Sequence, residues 1–271
     1  MKPDPKGDEP SRVTDAMHDD AGNHAQAFAV PLLVDQGGTH EVAGSGVLLR
    51  IWTEHFLLTA GHVAEGIRAA LRGVRVYGRN PSTGQIWPLK RGEFRIVNED
   101  SCDVGALGLP DDLALMLGDP ANYLDLDQLD SNEMPGEGSS YLVCGFPTGL
   151  YDDESRKVKC VRYLARSRGD ECKRSHNPAL DIILNYRPGT TDGKPIEVSP
   201  KGMSGGGIWR FFAPGYCGTW KRSDLRLVGI QHRWDSVAQY LRGTRIVRAL
   251  QLIVEMRPDL IKLIRERHPS V

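Results

Sequence analysis

Three short stretches of this chain place groups that could carry nucleophilic chemistry. Thr59-Ala60-Gly61-His62 follows an apolar run, Asp103-Val104-Gly105-Ala106-Leu107 opens another with an acid, and Gly202-Met203-Ser204-Gly205-Gly206 sets a serine among glycines. A serine hydroxyl is a useful nucleophile only when an imidazole can take its proton. The imidazole in turn needs a carboxylate on its other nitrogen, to fix the tautomer and stabilise the imidazolium that forms. Charge developing on an attacked carbonyl needs backbone N–H donors fixed in advance, each lowering the barrier by about 3–4 kcal/mol. Glycines around Ser204 let the backbone turn tightly and approach a substrate closely. The Gly202 and Ser204 amides are then the natural donors, with His62 as base and Asp103 as the acid that orients it.

The same residues admit other readings. Gly202-x-Ser204-x-Gly206 satisfies the nucleophile-elbow pattern of α/β-hydrolases, which need the order serine, acid, histidine and strands alternating with helices. Only His232 and His268 follow Ser204, and strand succeeds strand before it. Taken singly, His62 reads as a satisfied structural histidine and Ser204 as a turn serine; their joint context argues for chemistry. Asp112 in Asp112-Leu113-Ala114-Leu115-Met116 is a second candidate acid, but Asp111 and Asp112 after Pro110 suit the first turn of a helix. His232 reads as structural, and Cys102 as a core thiol.

The elements that must position these groups are short strands. Apolar runs such as 27–34, 41–51, 56–59, 74–77 and 94–97 recur with glycine-containing turns between them, the pattern of an antiparallel barrel or sandwich. A short helix is predicted over 62–71. The stretch 110–135 begins like a helix and becomes an acidic loop, which marks a boundary between two halves. A second strand series runs through 141–147, 157–164, 180–184, 207–209 and 225–230, and the tail from Gly243 has helical periodicity. Residues 1–25 are polar, lack the apolar segment of a secretory signal, and read as a disordered leader.

With 34 Lys+Arg against 35 Asp+Glu, the net charge of −1 over 271 residues argues against nucleic acid or an anionic membrane surface as the main partner. No apolar run approaches the roughly 20 residues that span a bilayer. Five cysteines, an odd number without a CxxC, support neither a disulfide framework nor a zinc cluster, and free thiols in a reducing cytosol fit best.

Taken in order, TAGH, D-V-x-A-L and G-M-S-G-G resemble the motifs of chymotrypsin-fold (trypsin-like) serine peptidases, nearer to bacterial Do-like members than to digestive enzymes. Gly145-Phe146-Pro147 is similar to the G-x-P turn that opens the second barrel of those members. The resemblance covers residues 27–240 and implies an all-β unit of two antiparallel six-stranded β-barrels, about 26–118 and 138–240. It places the site in the cleft between them and adds a C-terminal helix within 241–271. It implies a cytoplasmic serine endopeptidase with catalytic His62, Asp103 and Ser204, an oxyanion hole at Gly202 and Ser204, and a substrate edge along Gly229, Ile230 and Gln231. Pocket walls are expected near 196–201 and 229–233. No metal or organic cofactor is implied; the partners are a protein or peptide substrate and an activating or regulatory protein. Val63 and Met203 replace a disulfide cysteine and a zymogen aspartate, so activation by amino-terminal cleavage is not implied, and too few residues follow Tyr240 for a PDZ domain. The rival class is a catalytically silent fold that captures peptides, or a peptidase held latent through its tail.

Overall fold

Short apolar stretches separated by tight turns can bury a face only by pairing side by side. A computed structural model of the chain describes residues 15–36, 39–70, 76–79, 85–89, 93–99, 102–117, 119–132, 139–152, 157–168, 177, 179–186, 199–212 and 220–271. In the first half these form α1 (Asp15–Gln26), β1 (Ala29–Gln36), β2 (Thr39–Ile51), β3 (Glu54–Thr59), α2 (Gly61–Ala70), β4 (Val76–Arg79), β5 (Ile86–Pro88), β6 (Phe94–Glu99), β7 (Cys102–Leu109) and α3 (Asp111–Leu117). The second half contributes β8 (Ser140–Gly145), β9 (Tyr151–Asp152), β10 (Lys157–Val158), β11 (Val161–Arg166), β12 (Asp181–Asn185), β13 (Gly207–Phe212), β14 (Arg226–Asp235), β15 (Tyr240–Arg245), α4 (Ile246–Met256) and α5 (Ile261–Arg267).

Two antiparallel sheets result. The first runs β5-β4-β1-β2-β3-β7-β6 and the second β11-β8-β13-β14-β15-β12, with β9 and β10 as a separate ribbon. The first sheet thus has seven strands among the described residues, where six were expected, because β4 and β5 extend it beyond β1. One apolar core joins the halves: Leu33, Leu49 and Val104 from the first sheet cluster with Leu142, Trp209 and Ile230 from the second. Between the sheets, residues 119–132 run as a connector stitched to both. Leu124 bridges to Leu49, and Leu129 bridges to Leu227.

The ends of the chain depart from expectation. The polar leader is helical from Asp15, and residues 1–14 lie outside the described residues. Ala21 and Ala25, one turn apart on α1, are fully buried in the common core, and Arg222 reaches across to Asp20. Gly243, taken as the start of a helical tail, instead pairs with Ile182 and Gln231 inside the second sheet. The helix begins three residues later, and α4 buries seven of its residues, including Leu250, Leu252 and Ile253. His268 closes the far end, with Nδ1 3.0 Å from the Ser131 hydroxyl and Nε2 3.0 Å from the Leu126 carbonyl. No helix among the described residues is long and apolar enough to cross a membrane.

Cys102, Cys144 and Cys160 are free thiols, while Cys172 and Cys217 lie outside the described residues. The Cys144 and Cys160 sulfurs are 3.0 Å apart, Cys144 buried and Cys160 partly open to solvent. The hydrogen bond with Cys160, together with burial, pushes the Cys144 thiol up and keeps it protonated. Because the sulfurs are 3.0 Å apart and Cys160 is partly open to solvent, hydrogen peroxide that oxidises Cys160 is expected to join the pair, the two thiol hydrogens and two electrons leaving in two molecules of water. Peptide mapping should recover a Cys144–Cys160 cross-link, and recovery of both as alkylated thiols after peroxide treatment would contradict the geometry.

Candidate active site

The pairing register of the first sheet brings His62 and Asp103 together. Thr59, the last residue of β3, lies opposite Gly105 of β7. Asp103, two residues earlier on β7 and on the same face, therefore stands just beyond the end of β3, level with the first turn of α2. There the His62 backbone N–H donates to Asp103 Oδ1 at 2.9 Å, and His62 Nδ1 lies 2.7 Å from Oδ2. A side chain on Gly61 would run into the Val97 carbonyl and stand 2.8 Å from Asp103 Oδ1, so a glycine here keeps the approach open. The second sheet holds Asp103 from behind: the Thr244 hydroxyl accepts from the Asp103 N–H at 3.1 Å and lies 3.2 Å from its carbonyl.

The electrostatics follow from unequal burial. The Asp103 side chain is 12% exposed and that of His62 42%. Burial by itself pushes the Asp103 carboxyl up, but the His62 hydrogen bonds and the two neighbouring imidazoles outweigh it and hold the group below its ordinary range. An ionised carboxylate only accepts, so the 2.7 Å contact places a proton on His62 Nδ1, and in the neutral ring the lone pair is then on Nε2.

A second histidine touches the same carboxylate. His232 on β14 has Nδ1 3.5 Å from Asp103 Oδ2 and a side chain only 3% exposed. Burial pulls its pKa down to about 4, against the pull of Asp103, so the ring is neutral in neutral solution. The His232 carbonyl reaches the nucleophile as well, accepting the Ser204 hydroxyl at 3.3 Å.

Ser204 sits in the turn that leads into β13. Gly202 and Gly205 both have a φ of 92°, a left-handed conformation that favours glycine, and a side chain on Gly205 would collide with the Ser45 carbonyl and the Thr59 hydroxyl. In a trans peptide the carbonyl and the N–H point in opposite directions. The Lys201 carbonyl accepts from the Thr148 N–H at 2.8 Å, which turns the Gly202 N–H away from Thr148. The Met203 carbonyl accepts from the Gly206 N–H at 2.9 Å, which orients the Ser204 N–H in the same manner. Among the described residues, neither the Gly202 nor the Ser204 N–H is committed to a protein acceptor.

The structure thus brings His62 and Asp103 into contact and joins Ser204 to them through His232, whose ring faces Asp103 and whose carbonyl holds the hydroxyl. Asp112 is exposed in the first turn of α3, away from this group. Gly229, Ile230 and Gln231 do not offer a free edge. Gly229 and Ile230 pair with Ile208 and Gly207 on one side and with Arg245 and Thr244 on the other. Gln231 exchanges backbone hydrogen bonds with Gly205 and Gly206 while pairing with Gly243. Beyond Gln231 no described strand lies alongside 232–235 on that side of β14, because β13 starts only at Gly207. Of the expected pocket walls, 196–198 lie outside the described residues. No group of three or more His, Cys, Asp or Glu among the described residues could hold a metal ion.

Sequence reading missed Ser45, Thr148 and Thr244, whose partners are all distant along the chain. One signal was available for the first: Gly44 and Gly46 flank Ser45 within a strand, and glycine there marks close backbone approach.

No family model matches the chain, and no curated protein sequence matches it. Among solved structures, a serine endoprotease from Yersinia pestis aligns with a TM-score of 0.52 at 16% identity, over 94% of this chain and 68% of that one. Catalytically active tobacco etch virus protease complexed with product aligns at 0.49 and 11% identity, over 90% of this chain and 82% of that one. A chain from work on the coupled folding and binding of the Sesbania mosaic virus VPg protein gives 0.46 at 15% identity, over 82% and 86%. At such identities the likeness is one of fold: the two antiparallel sheets and the C-terminal helix are those of a chymotrypsin-like double β-barrel.

The neutral, buried His232 has a consequence for acid stability. An unfolded chain takes up this proton near the ordinary value of 6.5, and the folded chain only near about 4. Between those values the unfolded state binds more protons, so stability falls with pH, by up to about 3 kcal/mol for this group at pH 4. Burial pulls His24, His55 and His268 the same way. Urea unfolding at pH 7 and pH 4.5 should show a smaller loss for His232→Gln than for the wild type, and an equal loss in both would refute this assignment.

Proposed function

We propose that the protein is a serine endopeptidase. The observation that carries this reading is a histidine oriented by a buried carboxylate, linked through His232 to a glycine turn that offers a serine hydroxyl and two uncommitted backbone N–H groups. The hydroxyl of Ser204 leaves the His232 carbonyl by rotation about its own side-chain bond and passes its proton to His62 Nε2 as it attacks the peptide carbonyl. The oxyanion is received by the Gly202 and Ser204 amides. His62, now an imidazolium paired with Asp103, returns the proton to the leaving amine, and water repeats the sequence on the acyl-enzyme. The backbone of an extended peptide adds along 232–235, where no described strand flanks β14 on the β13 side. The fold shared with the Yersinia endoprotease supports the reading by analogy alone.

A reading as a latent or silent peptide-binding fold draws on one observation, that the Ser204 hydroxyl rests on the His232 carbonyl and not on His62. The two readings separate in a labelling experiment. A fluorophosphonate probe is expected to modify the wild type at Ser204, and Ser204→Ala should abolish the adduct seen by intact mass. A wild-type chain that resists the probe at neutral pH would leave only the binding reading.

The second expectation concerns Asp103. In Asp103→Asn the amide can present an N–H to His62 Nδ1, which favours the tautomer with no lone pair on Nε2. Peptide turnover should fall about 10⁴-fold while the fold persists. A loss smaller than about tenfold would assign the orienting role elsewhere.

A further inference from the structure

We infer that Ser45 is a positioning residue, whose side chain ties the oxyanion-forming turn to the sheet bearing the general base. This rests on the peptidase reading above. Ser45 lies on β2 and is fully buried, with Gly44 and Gly46 on either side. All of its hydrogen-bonding groups face the site. Its hydroxyl donates to the Gly202 carbonyl at 3.0 Å and accepts from the Phe146 N–H at 2.9 Å. Its backbone N–H donates to the Ser204 carbonyl at 2.7 Å, and its carbonyl accepts the Thr59 hydroxyl at 2.7 Å.

These four contacts connect parts that are far apart along the chain. Gly202 and Ser204 belong to the nucleophile turn, Phe146 follows β8 in the second sheet, and Thr59 stands three residues before His62. Opposite Ser45 on β1 is Pro31, which has no N–H to offer. Glycines surround the group for a matching reason: a side chain on Gly145 would stand 3.2 Å from the Ser45 hydroxyl, and one on Gly205 would displace the Ser45 carbonyl.

The hydroxyl acts on catalysis through a peptide plane. Of the three peptide carbonyls preceding the Ser204 N–H, Lys201 is held by Thr148 and Met203 by Gly206, both through backbone donors. The middle one, Gly202, is held by the Ser45 hydroxyl, while the N–H of the same peptide, that of Met203, donates to the Pro200 carbonyl at 3.0 Å. Gly202 is in a left-handed conformation, where a glycine peptide reorients with little steric resistance. Without the Ser45 hydroxyl, the part-buried Gly202 carbonyl and the buried Phe146 N–H lose their partners together, and the Gly202–Met203 peptide keeps only its bond to the Pro200 carbonyl. Each can recover one by turning its peptide, and such a turn swings the oxyanion donors out of place.

Ser45→Ala is the test, with two readouts. In amide-resolved spectra, the resonances of Gly202, Met203 and Phe146 should shift and their exchange with solvent should accelerate, while residues of β3 and α2 beyond Thr59 stay as in the wild type. The rate of fluorophosphonate labelling should fall about 10- to 100-fold, the loss expected when a buried hydrogen-bond partner is removed at a site that acts in the transition state. For a peptide substrate the fall should appear in kcat with KM little changed, because the oxyanion donors engage only in the transition state. The pH dependence of labelling should not move, because the Ser45 hydroxyl touches neither His62 nor Asp103. Should the alanine variant fail to fold, Ser45→Cys, which keeps a weak donor at similar size, is expected to show the same shifts and an intermediate rate. Unchanged Gly202 resonances in either folded variant would overturn the inference, as would wild-type labelling with wild-type kcat. A wild type that never labels defeats the peptidase reading instead, and the spectra still decide whether Ser45 holds the turn.

Discussion

The cleft depends on keeping one carboxylate ionised where little water reaches it. Burial alone would favour a protonated Asp103, and a protonated acid would not hold His62 in the tautomer that leaves Nε2 free. The charge survives because the His62 backbone and ring both meet it, at 2.9 and 2.7 Å. That pair of contacts requires Asp103 to stand two residues past the Thr59–Gly105 pairing and requires glycine at position 61. It also draws in the second sheet, since Thr244 holds the Asp103 backbone and the neutral ring of His232 closes off one side. The demands of a single charge thus reach through β3, β7, α2, β14 and β15.

A cleft between two sheets works only if the sheets cannot slide past each other. Here the restraint is shared between a common apolar core and a few directed contacts. α4 adds its buried face to that core, the connector bridges to Leu49 and Leu227, and His268 fastens the end of the chain to the connector. Apolar packing is strong but tolerant of small shifts, whereas hydrogen bonds at 2.7 to 3.0 Å specify register. The contacts around Ser45 lie where such precision matters, between the nucleophile turn and the strand that leads to His62.

His62 and Ser204 stand out as candidates in the sequence because of their neighbours: a tight strand-to-helix passage needs Gly61, and a turn with two left-handed residues needs Gly202 and Gly205. Asp103 was harder. It and Asp112 both open apolar stretches, and only the β3–β7 register separates an acid facing His62 from one exposed on α3. The edge at Gly229, Ile230 and Gln231 was misplaced by a few residues, because where β13 ends along β14 is a matter of pairing and not of composition. The same cause hid Gly243 in a strand: its helical neighbours dominate the local pattern, yet β12 and β14 claim its backbone from both sides.

Residue order alone determined the strand-rich architecture and the two glycine-framed positions that are the candidates for a base and a nucleophile, since these rest on interactions within a few residues. Tertiary structure decided which acid meets His62, how far β13 runs along β14, and that Ser45, Thr148 and Thr244 hold the segments of the candidate site in place. Those depend on contacts between segments 100 or more residues apart for Ser45 with Phe146 and Gly202 and for Thr244 with Asp103, and on 53 residues between Thr148 and Lys201. No local pattern encodes such distances; they exist only once two sheets have closed on one core.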